Sequence, residues 1–564
     1  MSAGTSQWRG LGVSPGRAVA RILHMPDPVR EPPVGAELAE HADPQEEADR
    51  IKTAAEKVQR DLVRRAAEAT SDARGVLEAT QAMAADPALL DTARDRVLMG
   101  ATPERALWDT AEEFTQMLSA AGGALGERVR DVQDVRDRLL AVLQGLPTPG
   151  VPTSVEPFVL IARDLAPVDT AMLDLRRCRA LLTEEGGPTS HTAIVARSLG
   201  LPAIVAVRGV CELISGTLVL VDGGAGTIDI DPDPQTAADA VAASGVLRNF
   251  DGHGRTKDGH DVELLANVSD AASAQLAARA GAQGVGLFRT ELCFLGNDEP
   301  PSVAEQVEAY RQVMSAFPGK KVVVRTLDAG ADKPLPFLAS VQEANPALGV
   351  RGVRTTLEHE QVLDDQLRAI AQAAAHEQAD VWVMAPMVAT KPEAADFVKR
   401  AHDHGLGMAG IMIEVPAAAM MAPELLDVAG FASIGTNDLT QYTMAADRML
   451  SGVAELNDPW QPATLRLVQM TGLAGDQQHR PVGICGEAAA DPVLACVLVG
   501  LGVTSLSMSP RALGDVATVL GAITHARCRE LAEIARAAPD AVTARDRVRS
   551  AMQAESTVLA DHGL

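Results

Sequence analysis

Paired cysteines are missing from this chain. Its six cysteines, at 178, 211, 293, 485, 496 and 528, are scattered and form no CxxC. That excludes a disulfide framework and a cysteine zinc site, and it reads as reduced thiols in a cytosolic protein. No stretch reaches the roughly 18 consecutive apolar residues that a membrane span needs. Residues Met1 to Gly10 lack the basic-then-apolar pattern of a secretion signal. An excess of positive charge is missing as well. The formal net charge is −25, which argues against a nucleic-acid footprint. What remains is a globular composition, 47% hydrophobic and 22% charged, in 564 residues. That length suffices for about three or four domains with sizeable cores.

Taken in order, residues 9–24 read as a Gly/Pro turn followed by a strand. Asp27 to Pro33 reads as a connection. From about Gly35 to Gly145 the pattern is helical: Ile51, Ala55, Val58 and Leu62 fall at helical spacing, as do Leu107, Ala111, Phe114 and Leu118, and again Val132, Val135, Leu139 and Leu143. β-branched runs are absent there. A helical bundle inserted into something else is the simplest account. After Pro147 and Pro149 come short strands at Phe158–Ala162, Ala180–Leu182, Ala203–Val205 and Leu218–Val221. The fold class is therefore multidomain α/β. Residues 1–32 and 146–231 form one α/β domain, 33–145 the inserted bundle, and 232–256 a linker helix with a flexible exit. Residues 257–564 carry the rest. There, eight strand candidates alternate with amphipathic or Ala-rich helices: Val262–Val268, Gly284–Arg289, Lys321–Leu327, Val381–Met387, Gly410–Val415, Phe431–Gly435, Pro481–Cys485 and Ser505–Met508. That alternation predicts a (β/α)8 barrel.

One histidine stands out. In Gly186-Gly187-Pro188-Thr189-Ser190-His191-Thr192-Ala193, a strand ends in a double glycine and a helix follows. Thr189 or Ser190 is a good N-cap, and Gly200 and Pro202 stop the helix about three turns on. His191 thus sits in the first turn, beside free backbone N–H groups. That position favours neutral imidazole and an adjacent anion. A neutral histidine beside an anion site suits a phosphoryl acceptor. A surface histidine at an ordinary helix start fits this stretch equally well.

In barrels, chemistry gathers at the C-terminal ends of strands. Here those ends are polar: Arg289-Thr290-Glu291, Arg325-Thr326-Leu327-Asp328, Glu414, Asn437-Asp438 and Cys485-Gly486-Glu487, with Arg351 in a Gly-flanked loop. Arginines match phosphate and carboxylate oxygens bidentately. Two carboxylates with open coordination suit Mg²⁺ or Mn²⁺ bridging to a phosphate. The implied ligand is a small acid carrying phosphate. Any one of these arginines alone reads as a structural ion pair, and any one carboxylate as a loop cap. Several at successive strand ends point to a phosphate site. Cys485 reads either as a small buried hydrophobe or as a general acid.

The segments GLGVSPGRA, GGPTSHTAIVARSLGLPAIV, VGLFRTELCFL, VVVRTLDAGADKPLP, NPALGVRGVR, GIMIEVPAA, FASIGTNDLTQYTMAADR, GICGEAAADP and SLSMSP follow one another over some 500 residues. In that order they resemble the Enzyme I family of the sugar phosphotransferase system, the phosphoenolpyruvate–protein phosphotransferases. The resemblance implies a relay. Phosphoenolpyruvate and Mg²⁺ (Mn²⁺ is the alternative) bind at the barrel mouth, and the phosphoryl group passes to His191. It then passes to the carrier protein HPr, docked on the helical insertion. The resemblance also implies roles: Arg289 and Arg325 on the phosphate; Asn437, Arg448 and Arg351 on substrate; Glu414 and Asp438 on the metal; Cys485 as proton donor; Thr189 supporting His191. It implies a cytoplasmic homodimer joined through the barrel. Two departures, Pro188 and Leu292-Cys293, remove no chemical group.

Phosphoenolpyruvate synthases and pyruvate phosphate dikinases share these motifs. They also need a large nucleotide-binding domain, and the roughly 145 residues before the α/β core lack a Gly-rich phosphate loop. A regulatory phosphoprotein that has lost catalysis is disfavoured by the complete set of barrel-end groups. The nitrogen-regulatory paralogue is disfavoured because no sensor domain is expected ahead of GLGVSPG.

Overall fold

The computed structural model describes residues 7–14, 16–26, 29–68, 80–121, 129–152, 154–165, 173–174, 176–187, 190–238, 250–294, 299–329, 335–338, 343, 345–357, 359–447 and 450–553. Two sheets organise them. The first holds β1 (Gln7–Arg9), β2 (Leu11–Ser14), β3 (Arg17–His24), β4 (Phe158–Ala162), β5 (Cys178–Thr183), β6 (Ala203–Val205), β7 (Leu218–Asp222) and β8 (Thr227–Ile230). Their order is β1-β8-β7-β3-β4-β5-β6-β2. β3, β4, β5 and β6 run parallel, and the flanking pairs are antiparallel.

Every residue of β4 is buried. The reason is that both faces of the sheet are covered, which turns alternation into a continuous apolar run. Phe158, Leu160 and Ala162 join one core; Val159 and Ile161 join the other. The sequence reading found β4, β5, β6 and β7 within two residues at each end. It took residues 9–24 as a Gly/Pro turn followed by one strand, and it left out β1, β2 and β8. The structure has three strands in residues 7–24, interrupted at Gly10 and at Gly16, whose φ is +120°.

Between β3 and β4 lie helices Pro44–Glu68, Pro87–Leu98, Pro103–Ala121 and Val129–Gln144. Ile51, Ala55, Val58, Leu62, Leu107, Ala111, Val132, Val135 and Leu139 share one core, as their helical spacing requires. Helix Pro87–Leu98 starts at Asp86, whose side chain accepts the Ala88 N–H, with proline in the first turn where its missing donor costs nothing. Of the candidate linker, only 232–238 and 250–256 belong to the described residues.

The second sheet is a closed parallel barrel: β9 (Glu263–Val268), β10 (Gly284–Arg289), β11 (Lys321–Arg325), β12 (Asp380–Ala385), β13 (Met408–Ile413), β14 (Ala432–Ile434), β15 (Val482–Ile484) and β16 (Ser505–Met508), with β16 pairing back to β9. Leu287, Val323, Met384, Met412, Phe431 and Cys485 fill its interior. Val285, Val324, Val383 and Ile411 face the helices instead. All eight barrel strands are those expected. Five stop one or two residues short of their expected ends, at Arg325, Ala385, Ile413, Ile434 and Ile484. No helix among the described residues is long and apolar enough to cross a membrane.

Candidate functional site

β5 and β6 are joined by the helix His191–Leu199, a parallel crossover. Gly186 turns the chain after β5 with φ +96°. Ser190 Oγ accepts the Ala193 N–H at 3.2 Å, so Ser190 is the capping residue expected. Thr192 is fully buried, and its hydroxyl donates to Asp164 Oδ1 at 3.2 Å, pinning the first turn to the loop after β4. Ala193 and Ala196 pack into the core beneath. His191 is therefore the first residue of a fixed helix. Its side chain, like the whole of Thr189 and Arg448, lies outside the described residues.

The barrel mouth gathers the remaining candidates. Arg325, at the end of β11, is buried; its Nη2 donates to Glu291 Oε1 at 2.6 Å, and its Nη1 lies 3.3 Å from Asp328 Oδ2. Arg351 is 4% exposed. Its Nη2 reaches Asp328 Oδ2 at 3.2 Å, and its Nη1 donates to Asp438 Oδ1 at 3.1 Å and Tyr442 OH at 3.3 Å. Burial opposes both charges. Glu291, Asp328 and Glu414 outweigh it at Arg325, and Asp328, Asp438 and Glu414 at Arg351, so both guanidiniums are held more firmly protonated than usual. The Nε atoms of both are buried with no partner in the protein. A buried donor left unmade is costly. Oxygens of an anionic ligand would satisfy these two.

Glu414 follows β13 and is 1% exposed. Its Oε1 accepts the Met387 N–H at 2.6 Å. Met387 has φ +60°, a left-handed conformation that a bulky side chain rarely adopts, and this bond helps hold it there. Gly435 is required opposite: a Cβ on it would lie 2.7 Å from Glu414 Oε2. Burial, then Asp438 and Asp328, raise the proton affinity of Glu414. Asp438 is buried on the helix Thr436–Met444, and the neighbouring Asn437 is half-buried.

Two carboxylates whose repulsion disfavours the doubly ionised state suit a divalent cation. Counting charges supports this. Among the described residues, Glu291, Asp328, Glu414 and Asp438 face two buried guanidiniums, Arg325 and Arg351, a local excess of negative charge that a cation would offset. Glu414 and Asp438 thus fit Mg²⁺ or Mn²⁺. Among the described residues, no group of three or more His, Cys, Asp or Glu side chains is placed to hold a metal ion by itself.

Arg289, ending β10, is the most open guanidinium here, 40% exposed, with Nη2 4.0 Å from Glu487 Oε1. Cys485 follows β15 and is 2% exposed. Its thiol donates to Ile434 O at 3.6 Å, and Asn267 Nδ2 donates to its carbonyl at 3.1 Å. Burial pushes its thiol up to about 11, so it keeps its proton at neutral pH. The structure thus brings Arg289, Arg325, Arg351, Glu414, Asn437, Asp438 and Cys485 to one end of the barrel. Sequence reasoning quoted Glu291 and Asp328 without assigning them a part; Glu291 is a counter-ion of Arg325, and Asp328 of both buried arginines. Tyr442, Met387 and Asn267 were missed. Only Tyr442 carried a signal, one turn beyond Asp438 on the same helix.

Comparison with known proteins agrees with this geometry. Residues 247–524 match the family described as PEP-utilising enzyme, PEP-binding domain. Residues 155–226 match its mobile domain, and 9–128 its N-terminal domain. A phosphoenolpyruvate-protein phosphotransferase of Streptomyces coelicolor is 49% identical over 553 residues, covering 97% of this chain and 99% of that protein. One from Haloferax volcanii is 42% identical, covering 79% and 82%. A multiphosphoryl transfer protein of Rhodobacter capsulatus is 40% identical, covering 83% of this chain and 58% of its own length. This chain is an enzyme that belongs to the phosphoenolpyruvate-protein phosphotransferase family of PEP-utilising enzymes.

Proposed function

We propose that the chain moves the phosphoryl group of phosphoenolpyruvate to its own His191 and then to a histidine of HPr, releasing pyruvate as the first step of sugar uptake. The observation that carries this reading is the buried cluster of Arg325 and Arg351 with Glu291, Asp328 and Asp438 at the barrel mouth. Arg289 and Arg325 bind the phosphate, and Asn437, Arg448 and Arg351 orient the substrate. A divalent cation held by Glu414 and Asp438 would neutralise charge on the transferring group. A ring nitrogen of His191 gives its lone pair to phosphorus, and the phosphorus–oxygen bond breaks to leave the enolate of pyruvate. Cys485 gives its proton to the enolate carbon, and solvent returns one to the thiolate. Positioning and charge neutralisation supply most of such catalysis.

The domain assignment belongs to the same reading. Residues 1–32 and 146–231 carry the phosphohistidine, with Thr189 supporting it. Residues 33–145 receive HPr, 232–256 act as the hinge, and 257–564 bind substrate and join two subunits in the cytoplasm. A histidine on one unit and a substrate on another require motion between them.

Incubation with radioactive phosphoenolpyruvate tests this directly. The label is expected in the peptide containing His191, acid-labile and base-stable, and it should leave when HPr is added. Label elsewhere, or none, overturns the reading. ATP in place of phosphoenolpyruvate should give no label; nucleotide-dependent labelling would favour the dikinase class.

Cys485 gives a further expectation. Cys485→Ala should slow pyruvate formation about 100-fold, within the range for losing a general acid, with phosphoenolpyruvate affinity unchanged. Because burial holds the thiol near 11, the wild-type protein keeps this proton from about pH 6 to 9. The variant's pH profile should therefore have the same shape in that window, at a lower plateau. A changed shape, or an unchanged rate, removes Cys485 from the proton path.

A further inference from the structure

The His191 helix is also held at its far end. Leu199 is its last residue, and the carbonyls of a helix's last turn lack partners within the helix. Arg511 Nη1 donates to Leu199 O. Arg511 follows β16 by three residues, so it stands at the same end of the barrel as Arg325, Arg351 and Cys485. The seat is shaped for it. Gly200 has φ +65°, and a Cβ there would come 2.4 Å from Arg511 Nη1 and 2.9 Å from its Cδ. A cation at this end of a helix is also favoured by the helix dipole.

A second pair links the same two units: Arg9 Nη1, on β1, lies 3.8 Å from Asp546 Oδ2, on the helix Ala541–Gln553. Beside it is a cleft of about 250 Å³ lined by Arg9, Arg17, Asp222, Asp229, Asp546 and Arg549. Both contacts are polar and solvent-exposed. Exposed pairs contribute little to affinity, so a junction built on them separates readily.

We propose that Arg511 is a docking residue: it grips the C-terminal end of the His191 helix, sets that helix against the barrel mouth, and releases it when the sheet domain moves away. This rests on the transfer from phosphoenolpyruvate to His191 proposed above. The helix has nine residues, roughly 13 Å at 1.5 Å per residue. Fixing one end of so short a rod confines the other, and orientation of this kind is worth rate rather than substrate affinity.

The test separates the two halves of the relay. In Arg511→Ala, single-turnover phosphorylation by phosphoenolpyruvate should slow about tenfold, with phosphoenolpyruvate affinity unchanged. Transfer from the pre-phosphorylated protein to HPr should be unchanged or faster, because that step needs the undocked form. Arg511→Lys, which keeps one donor and the charge, should recover part of the loss. Arg511 is exposed, so the substitution leaves the cores intact. Equal slowing of both halves, or of neither, overturns the docking role. If the wild-type protein takes no label from phosphoenolpyruvate, the underlying reading fails instead.

Discussion

Replacing His191 with alanine should reduce labelling by phosphoenolpyruvate at least 1,000-fold, to background. A covalent route through a nucleophile has no substitute when the nucleophile is gone. The chain has 12 histidines, so the claim must single one out. His525 is the instructive rival, since it too is the first residue of a helix, His525–Arg536. Its ring is stacked on His260 with centroids 3.8 Å apart, and its backbone N–H is bonded to Asp258 Oδ1 beside the segment leading into β9. Burial, then His260 and Arg529, lower its proton affinity. A ring occupied on one face and remote from the strand ends has no donor to meet. His525→Ala should therefore keep full labelling. Equal labelling of His191→Ala and the wild-type protein would sink the central claim.

Arg351→Met should disable the barrel by a different route. The guanidinium lies between Asp328 and Asp438, both buried, and removing it leaves two carboxylates without their shared partner. Breaking a buried ion pair from one side costs about 3–5 kcal/mol, mostly because the abandoned charge stays out of water. The barrel's urea midpoint should fall accordingly, and phosphoenolpyruvate binding should weaken more than 100-fold. The diagnostic is the double variant. Adding Asp328→Asn to Arg351→Met removes one negative charge from the unbalanced cluster, so stability should partly return although binding does not. Loss of less than about 0.5 kcal/mol in the single variant would show that solvent already reaches the cluster.

The sequence revealed the architecture because two periodicities alternate along it, and it revealed the site because the polar residues fall where the apolar strand runs end. The pairings were hidden. Arg351 and Asp438 are 87 positions apart and meet only when the barrel closes. Glu291 and Asp328 look like loop carboxylates until β10 and β11 lie side by side and both face Arg325. The left-handed backbone of Met387 leaves no trace in residue type, since nothing about methionine predicts it. β1 and β8 were hard to see for another reason: they are three and four residues long, and β1 forms an edge of the sheet.

The position of the helical insertion has a consequence for how such a protein can change over generations. β3 and β4 are hydrogen-bonded neighbours, yet roughly 130 residues separate His24 from Phe158. The insertion is thus an overgrown crossover between two parallel strands. Lengthening a crossover from its minimum of a dozen residues to this size costs only about 2 kcal/mol in chain closure, since each doubling costs ~0.6 kcal/mol. The helices have their own core, so they can be remodelled, or exchanged for a module that recognises another protein, while the strands on either side keep their register. On the function proposed above, recognition of the next protein in line and the chemistry at the barrel would be inherited as separable parts.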